Sequence, residues 1–130
     1  MRSTLCLVED SADNRLLIHA ILDDRYDVIE FADGASALAR LPVMHPDAVL
    51  LDISLPDMDG TEVLARLRLD PLTRAIPVIA LTGHARAGDR ARLIDAGFDE
   101  YVAKPIVDEE LLTGAIARCL APVAPREGVA

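Results

Sequence analysis

Five short apolar runs, each followed by a longer stretch of helical spacing, restrict the folds open to this chain more than any other feature. The runs fall at 4–8, 27–31, 48–51, 77–81 and 100–102. Several are continuously apolar instead of alternating, as in parallel strands covered by helices on both faces. Helical patterns occupy roughly 12–23, 35–41, 59–69, 87–96 and 108–120. Asp33, Asp59 and Asp108 stand where helix N-caps are expected, and Gly97 stands where a helix should stop. Strand then helix, five times over, predicts an α/β sheet with right-handed crossovers and helices on both faces.

Length and charge narrow the function. The 130 residues suit one domain over 1–120, and the Pro- and Ala-rich APVAPREGVA at 121–130 reads as a short tail or the start of a linker. A formal net charge of -9 disfavours nucleic acid and anionic membranes as direct ligands, since both need a basic face. Any phosphate chemistry would therefore need a cation. No run approaches the ~18 apolar residues of a membrane span and no signal peptide is visible, so a cytoplasmic location is expected. Cys6 and Cys119 lack metal-ligand spacing, and Cys6, inside an apolar run, is expected to act as a small hydrophobe.

Ligands of open α/β sheets bind beyond the carboxyl ends of the strands. The first run is followed by Glu9 and Asp10, the third by Asp52, the fourth by Thr82 and the fifth by Lys104-Pro105. The second contributes nothing comparable, which places it at the periphery. Three clustered carboxylates repel one another and would otherwise take up protons. A divalent cation and one lysine resolve that conflict, and an all-oxygen donor set suits Mg²⁺ or Mn²⁺.

The stretches LVED, LLDISLPDMDG, PVIALTGHA and AGFDEYVAKPI carry these residues in order, and with them the chain closely resembles the receiver domain of two-component response regulators over about residues 4–120. The resemblance implies a flavodoxin-like, doubly wound sheet of five parallel strands in the order 2-1-3-4-5, with five helices. It implies Asp52 as the acceptor of a phosphoryl group from a histidine kinase or histidine phosphotransfer protein. It also implies Mg²⁺, with Mn²⁺ as a substitute, on Asp10, Asp52 and the Ser54 carbonyl, with Glu9 acting through water. Lys104 would pair with Asp52 and then with the phosphoryl oxygens. Thr82 would donate its hydroxyl to the phosphoryl group, and Tyr101 would swing inward with it. Lys104-Pro105 would be a cis peptide. Ser54 and His84 flank the phosphoryl position and would tune its lifetime; His84 reads equally as a solvent-facing loop histidine. Phosphorylation would reshape the face of the fourth helix, fifth strand and fifth helix for a downstream protein target, in a monomer or a phosphorylation-dependent dimer. The expected activity is self-phosphorylation and self-dephosphorylation without enzymatic turnover.

Other readings fit less well. A haloacid dehalogenase-type phosphatase needs a general acid two residues after its nucleophile, where this chain has Ser54. An FMN carrier needs a hydroxyl- and Gly-rich loop where VEDSAD stands, and no dinucleotide or P-loop motif occurs. A stand-alone receiver and a relay or phosphate-sink receiver excised from a hybrid kinase remain open. Asp57 and Asp59 read as turn and cap residues; Asn14, His19 and His45 receive no role. The first helical pattern, ADNRLLIHAILDD, is apolar at Leu16, Leu17, Ile18, Ile21 and Leu22, broader than one buried stripe requires. Either all five pack on the sheet or part of them docks a kinase or phosphotransfer helix.

Overall fold

A computed structural model describes residues 2–83 and 88–120. Ten elements alternate without exception: β1 (Thr4–Val8), α1 (Ala12–Leu22), β2 (Asp27–Phe31), α2 (Gly34–Met44), β3 (Ala48–Asp52), α3 (Gly60–Leu69), β4 (Val78–Thr82), α4 (Asp89–Ala96), β5 (Glu100–Ala103) and α5 (Glu109–Leu120). The strands are all parallel and run β2-β1-β3-β4-β5 across the sheet, with β2 on an edge as expected.

Side-chain alternation along the strands divides the interior into two layers. Cys6 and Val8, Val49 and Leu51, and Val78 and Ala80 face α2, α3 and α4, where they meet Leu41, Val63, Leu67 and Leu93. Leu5 and Leu7, Ala48 and Leu50, and Ile79 and Leu81 face α1 and α5, where they meet Ile18, Leu22, Leu112 and Ile116. Each large apolar side chain fully removed from water contributes about 1.5–3 kcal/mol. Cys6 fills a small space in the first layer; burial pushes its thiol up to about 12, which makes it inert.

The helix ends follow the expected signals. Asp33 accepts from the Ser36 N–H (2.7 Å), Asp59 from Thr61 (2.8 Å) and Asp108 from Glu110 (2.9 Å). Gly97 ends α4 with φ at 114°, a conformation that costs a residue without a Cβ little. Several boundaries differ from expectation. β3 extends to Asp52 and β5 to Ala103, and β4 begins at Val78 because Pro77 has no N–H for the ladder, although its carbonyl still accepts from Val49 (2.9 Å). The helix expected over 35–41 runs from Gly34 to Met44, through Pro42. Buried Leu41 and the contact of Met44 with the first core layer hold that last turn despite the missing N–H.

Candidate functional site

The same alternation that builds the core sets the polar residues at its upper edge. Glu9 continues the series Leu5, Leu7; Asp52 continues Ala48, Leu50; Lys104 continues from Val102. These three therefore meet over the α1/α5 layer. Lys104 Nζ lies 3.0 Å from Glu9 Oε1 and 3.1 Å from Asp52 Oδ2. Sequence reasoning paired Lys104 with Asp52 alone; the structure adds Glu9 to the same ammonium. Glu9 is fully buried and Asp52 is 1% exposed. Two carboxylates so far from water need such a counter-charge.

Every polar atom of Glu9 is engaged. Its Oε2 accepts from the Ser11 N–H (3.1 Å), its own N–H donates to the Phe31 carbonyl (3.0 Å), and its carbonyl accepts from Arg15 (2.7 Å). Burial pushes the Glu9 carboxyl above its ordinary range, against the pull of the Ser11 and Lys104 hydrogen bonds. Burial would lower the Lys104 ammonium, but the hydrogen bond to Glu9 and the charge of Asp52 together outweigh it and hold the group above its ordinary value. Lys104 therefore stays charged at neutral pH. The Lys104-Pro105 peptide is cis, as the resemblance implies.

Asp10 differs from its neighbours. It is exposed, and its carboxylate makes no hydrogen bond among the described residues. One carboxylate oxygen from each of Glu9, Asp10 and Asp52 can be drawn from a set lying within 4.8 Å of one another. An all-oxygen donor set with one outward acid and no thiolate or imidazole fits Mg²⁺ or Mn²⁺ better than zinc.

The loop after β3 is braced against the site. Ser54 donates its N–H to Asp52 Oδ1 (3.0 Å) and forms a single antiparallel bridge with Asp59. The Gly60 N–H reaches back to the Ile53 carbonyl (2.8 Å), and a Cβ on Gly60 would stand 2.7 Å from the Asp52 carbonyl oxygen. Only glycine lets α3 start this close to the strand. Asp57, expected in the turn, spans to another element: its two oxygens accept from the Gly34 and Ala35 N–H groups (2.9 Å each) at the start of α2. Those backbone hydrogen bonds hold its carboxyl below the usual range.

Thr82 ends β4 and is buried, and it shares the alternation of Val78 and Ala80, the layer against which half-buried Tyr101 packs. The Lys104 N–H donates to the Thr82 carbonyl (2.7 Å), so hydroxyl and ammonium are set by adjoining strand ends. His84 lies outside the described residues. Sequence reasoning missed Arg15, Glu30 and the reach of Asp57, because each acts through backbone atoms or partners distant in sequence. The Asn14 N–H donates to the Ser11 hydroxyl that caps α1 (3.3 Å), and His45 ends α2 with φ at 49°.

Comparison with known proteins agrees with this geometry. The family model described as the response regulator receiver domain matches residues 5–116. The signal transduction histidine-protein kinase BarA of Escherichia coli K12 is 40% identical over 109 residues, 83% of this chain. This chain spans only 12% of that protein's length. An uncharacterized 14.6 kDa protein from Leptolyngbya boryana is 35% identical over 90% of both chains. Among solved structures, the receiver domain of the sensor histidine kinase PA1611 from Pseudomonas aeruginosa, which has a magnesium ion in its active site cleft, superposes with a TM-score of 0.84. It is 33% identical over 94% of this chain and all of that one. A response regulator from Chloroflexus aurantiacus reaches a TM-score of 0.87 at 29% identity, over 94% of this chain and all of its own.

Proposed function

We propose a function from one premise: the chain belongs to the response regulator receiver domain family. It is a receiver domain of two-component signalling, and Asp52 is its phosphoacceptor. An Asp52 carboxylate oxygen attacks the phosphorus of a phosphohistidine on a histidine kinase or histidine phosphotransfer protein. The new O–P bond forms as the N–P bond breaks, and the histidine nitrogen keeps the electron pair. The observation that carries this reading is a buried, ion-paired carboxylate at a strand end, beside two further acids.

Each neighbour then has a task. Lys104, held charged by Glu9 and Asp52, lies where it can follow the charge from Asp52 onto the phosphoryl oxygens. Thr82 donates its hydroxyl to the phosphoryl group, and Tyr101, on the same layer, follows it and alters the surface of α4, β5 and α5. Glu9, Asp10, Asp52 and the Ser54 carbonyl would hold Mg²⁺ or Mn²⁺, which when bound neutralises the charge of the acids and the incoming phosphoryl group. Ser54 and His84 tune the lifetime of the acyl phosphate. The chain loads and sheds one phosphoryl group and is a switch more than a turnover enzyme. Ser54 in place of a general acid argues against the phosphatase reading.

The partner surface borders the site. Leu16 is 72% and Leu17 43% exposed on α1, whereas Ile18 and Leu22 are buried against the sheet. Leu17 and Ile21 line an open groove of about 670 Å³ with Ile106 and Val107, just past Lys104-Pro105. The apolar breadth of α1 is thus only partly spent on the core, which supports docking of a kinase or phosphotransfer helix there. Among the described residues no helix is long and apolar enough to cross a membrane, and a cytoplasmic switch is the setting proposed. A relay receiver joined to a histidine kinase, as the similarity to a histidine-protein kinase suggests, and a stand-alone receiver both fit this function.

The test uses acetyl phosphate with Mg²⁺, followed by intact-mass detection of the phosphorylated chain. Wild type is expected to gain one phosphoryl group and Asp52→Asn none. Equal incorporation by both would refute the assignment.

A further inference from the structure

Arg15 has no part in the chemistry above, yet its guanidinium grips the loop that carries two of the acids. From α1, its Nη1 donates to the carbonyl of Glu9 (2.7 Å) and to that of Asp10 (3.0 Å). Its Nε lies 3.5 Å from Glu30 Oε1 on the edge strand β2. The other oxygen of Glu30 is taken by His19 Nδ1, one turn further along α1, and His19 Nε2 lies 3.3 Å from Asp23. The side chains of Arg15 and Glu30 are 22% and 31% exposed, so solvent screens this pair less than a free surface pair.

The acids differ in what fixes them. Glu9 is tied at both carboxylate oxygens, by Lys104 and by the Ser11 N–H. Asp52 is tied by Lys104 and Ser54. Asp10 has no side-chain tether among the described residues, so its carboxylate is placed by its backbone alone. That backbone is what Arg15 holds, since two successive carbonyls on one guanidinium nitrogen fix the peptide planes on either side of the Asp10 Cα.

We propose that Arg15 is a positioning residue of the acidic site, fixing the Glu9–Asp10 backbone so that the untethered Asp10 carboxylate faces Glu9 and Asp52, with Glu30 and His19 as its buttress. The inference rests on reading the three acids as a divalent-cation site. Charge and position make opposite demands here. A guanidinium beside a cation site repels the cation, so removing it for its charge alone should tighten binding. Removing the support of a ligand should weaken binding, by about tenfold on the scale of outer-shell partners of metal ligands.

The experiment measures Mg²⁺ affinity by isothermal titration calorimetry for wild type, Arg15→Gln, Arg15→Lys and Asp10→Ala, with circular dichroism and thermal midpoints to confirm folding. Arg15→Gln is expected to weaken Mg²⁺ binding about tenfold, while phosphorylation from acetyl phosphate at saturating Mg²⁺ returns close to the wild-type rate. Arg15→Lys keeps the charge but cannot hold the carbonyls and Glu30 together, and should be weakened in the same sense. Unchanged or tighter binding in a folded Arg15→Gln overturns the proposal. If Arg15→Gln does not fold, Glu30→Ala decides: it leaves Arg15 in place without its buttress, so weaker binding supports the proposal and unchanged binding overturns it. Asp10→Ala separates the two readings. If it binds Mg²⁺ as wild type does, the cation site itself is wrong; if it loses binding while Arg15→Gln does not, only the role of Arg15 fails.

Discussion

Gly60→Ala tests how tightly the site is built onto the fold. The added Cβ would stand 2.7 Å from the Asp52 carbonyl oxygen and 2.8 Å from Ile53 Cα. Comfortable carbon–carbon contact needs ~3.5 Å, so strand end and helix start must separate by about 0.7 Å. Both opposing atoms are backbone, and the Gly60 N–H···Ile53 carbonyl hydrogen bond (2.8 Å) resists that movement. Overpacking of this kind costs about 1–3 kcal/mol. Alanine recovers up to ~1 kcal/mol of helix propensity, less at a first turn. The expected net loss is ~1–2 kcal/mol, a fall in the urea midpoint of about 0.5–1 M at an m-value near 2 kcal/mol/M.

Gly114→Ala on α5 is the internal control. There the new Cβ meets only Arg118 Nη1, at 3.4 Å, and a gain of about 0.5–1 kcal/mol is expected. One substitution type thus has opposite signs at two helical positions. The displacement of Asp52 should also slow its phosphorylation by acetyl phosphate at least tenfold where the protein is fully folded, since about 1 Å of misplacement can cost a hundredfold. A Gly60→Ala variant as stable and as fast as wild type would refute the reasoning.

Three other perturbations have signs set by the structure. Lys104→Met strands Glu9 and Asp52 without their counter-charge, and should cost about 3 kcal/mol at pH 7 by urea denaturation. Glu9 already has a raised carboxyl, so its folded form gains a proton before its unfolded form as pH falls toward 4.5; the deficit should shrink from pH 7 to pH 5, and a pH-independent deficit would contradict the account. Asp57→Ala frees two N–H groups at the start of α2 and should lower the thermal midpoint. The lowered Asp57 carboxyl contributes stability above the unfolded value of 3.8 that is lost as pH falls through the folded value, so wild type and variant should converge in acid and separate at neutral pH. Leu16→Asp should leave labelling by acetyl phosphate unchanged while slowing transfer from a phosphorylated histidine kinase or phosphotransfer protein; equal transfer rates would remove α1 as the docking face.

The strands at 4–8 and 27–31 were legible to the residue, because an apolar run bounded by turn residues has few other uses. The helical pattern at 35–41 falls short of α2, which continues through Pro42 to Met44 because Leu41 and Met44 pack into the core. At the site, Glu9, Asp10, Asp52, Thr82 and Lys104 could be named because strand ends of a parallel sheet converge on one edge. Arg15, Glu30 and the span of Asp57 to α2 carried no such signal, because their partners are carbonyls, N–H groups and distant side chains.

The amino-acid order alone determined the succession of strands and helices, the helix caps, and which charged residues end the strands. These follow from local periodicity and from groups adjacent in the chain. Tertiary structure decided which of those charges meet. Lys104 reaches Glu9 across 95 positions of chain because β5 and β1 flank β3 and β4 in one sheet and alternate in the same phase. It also decided which acid is clamped and which is left to its backbone. Burial supplies the physical reason: a carboxylate removed from water must find its partners within ~3 Å, and only the assembled sheet sets those distances.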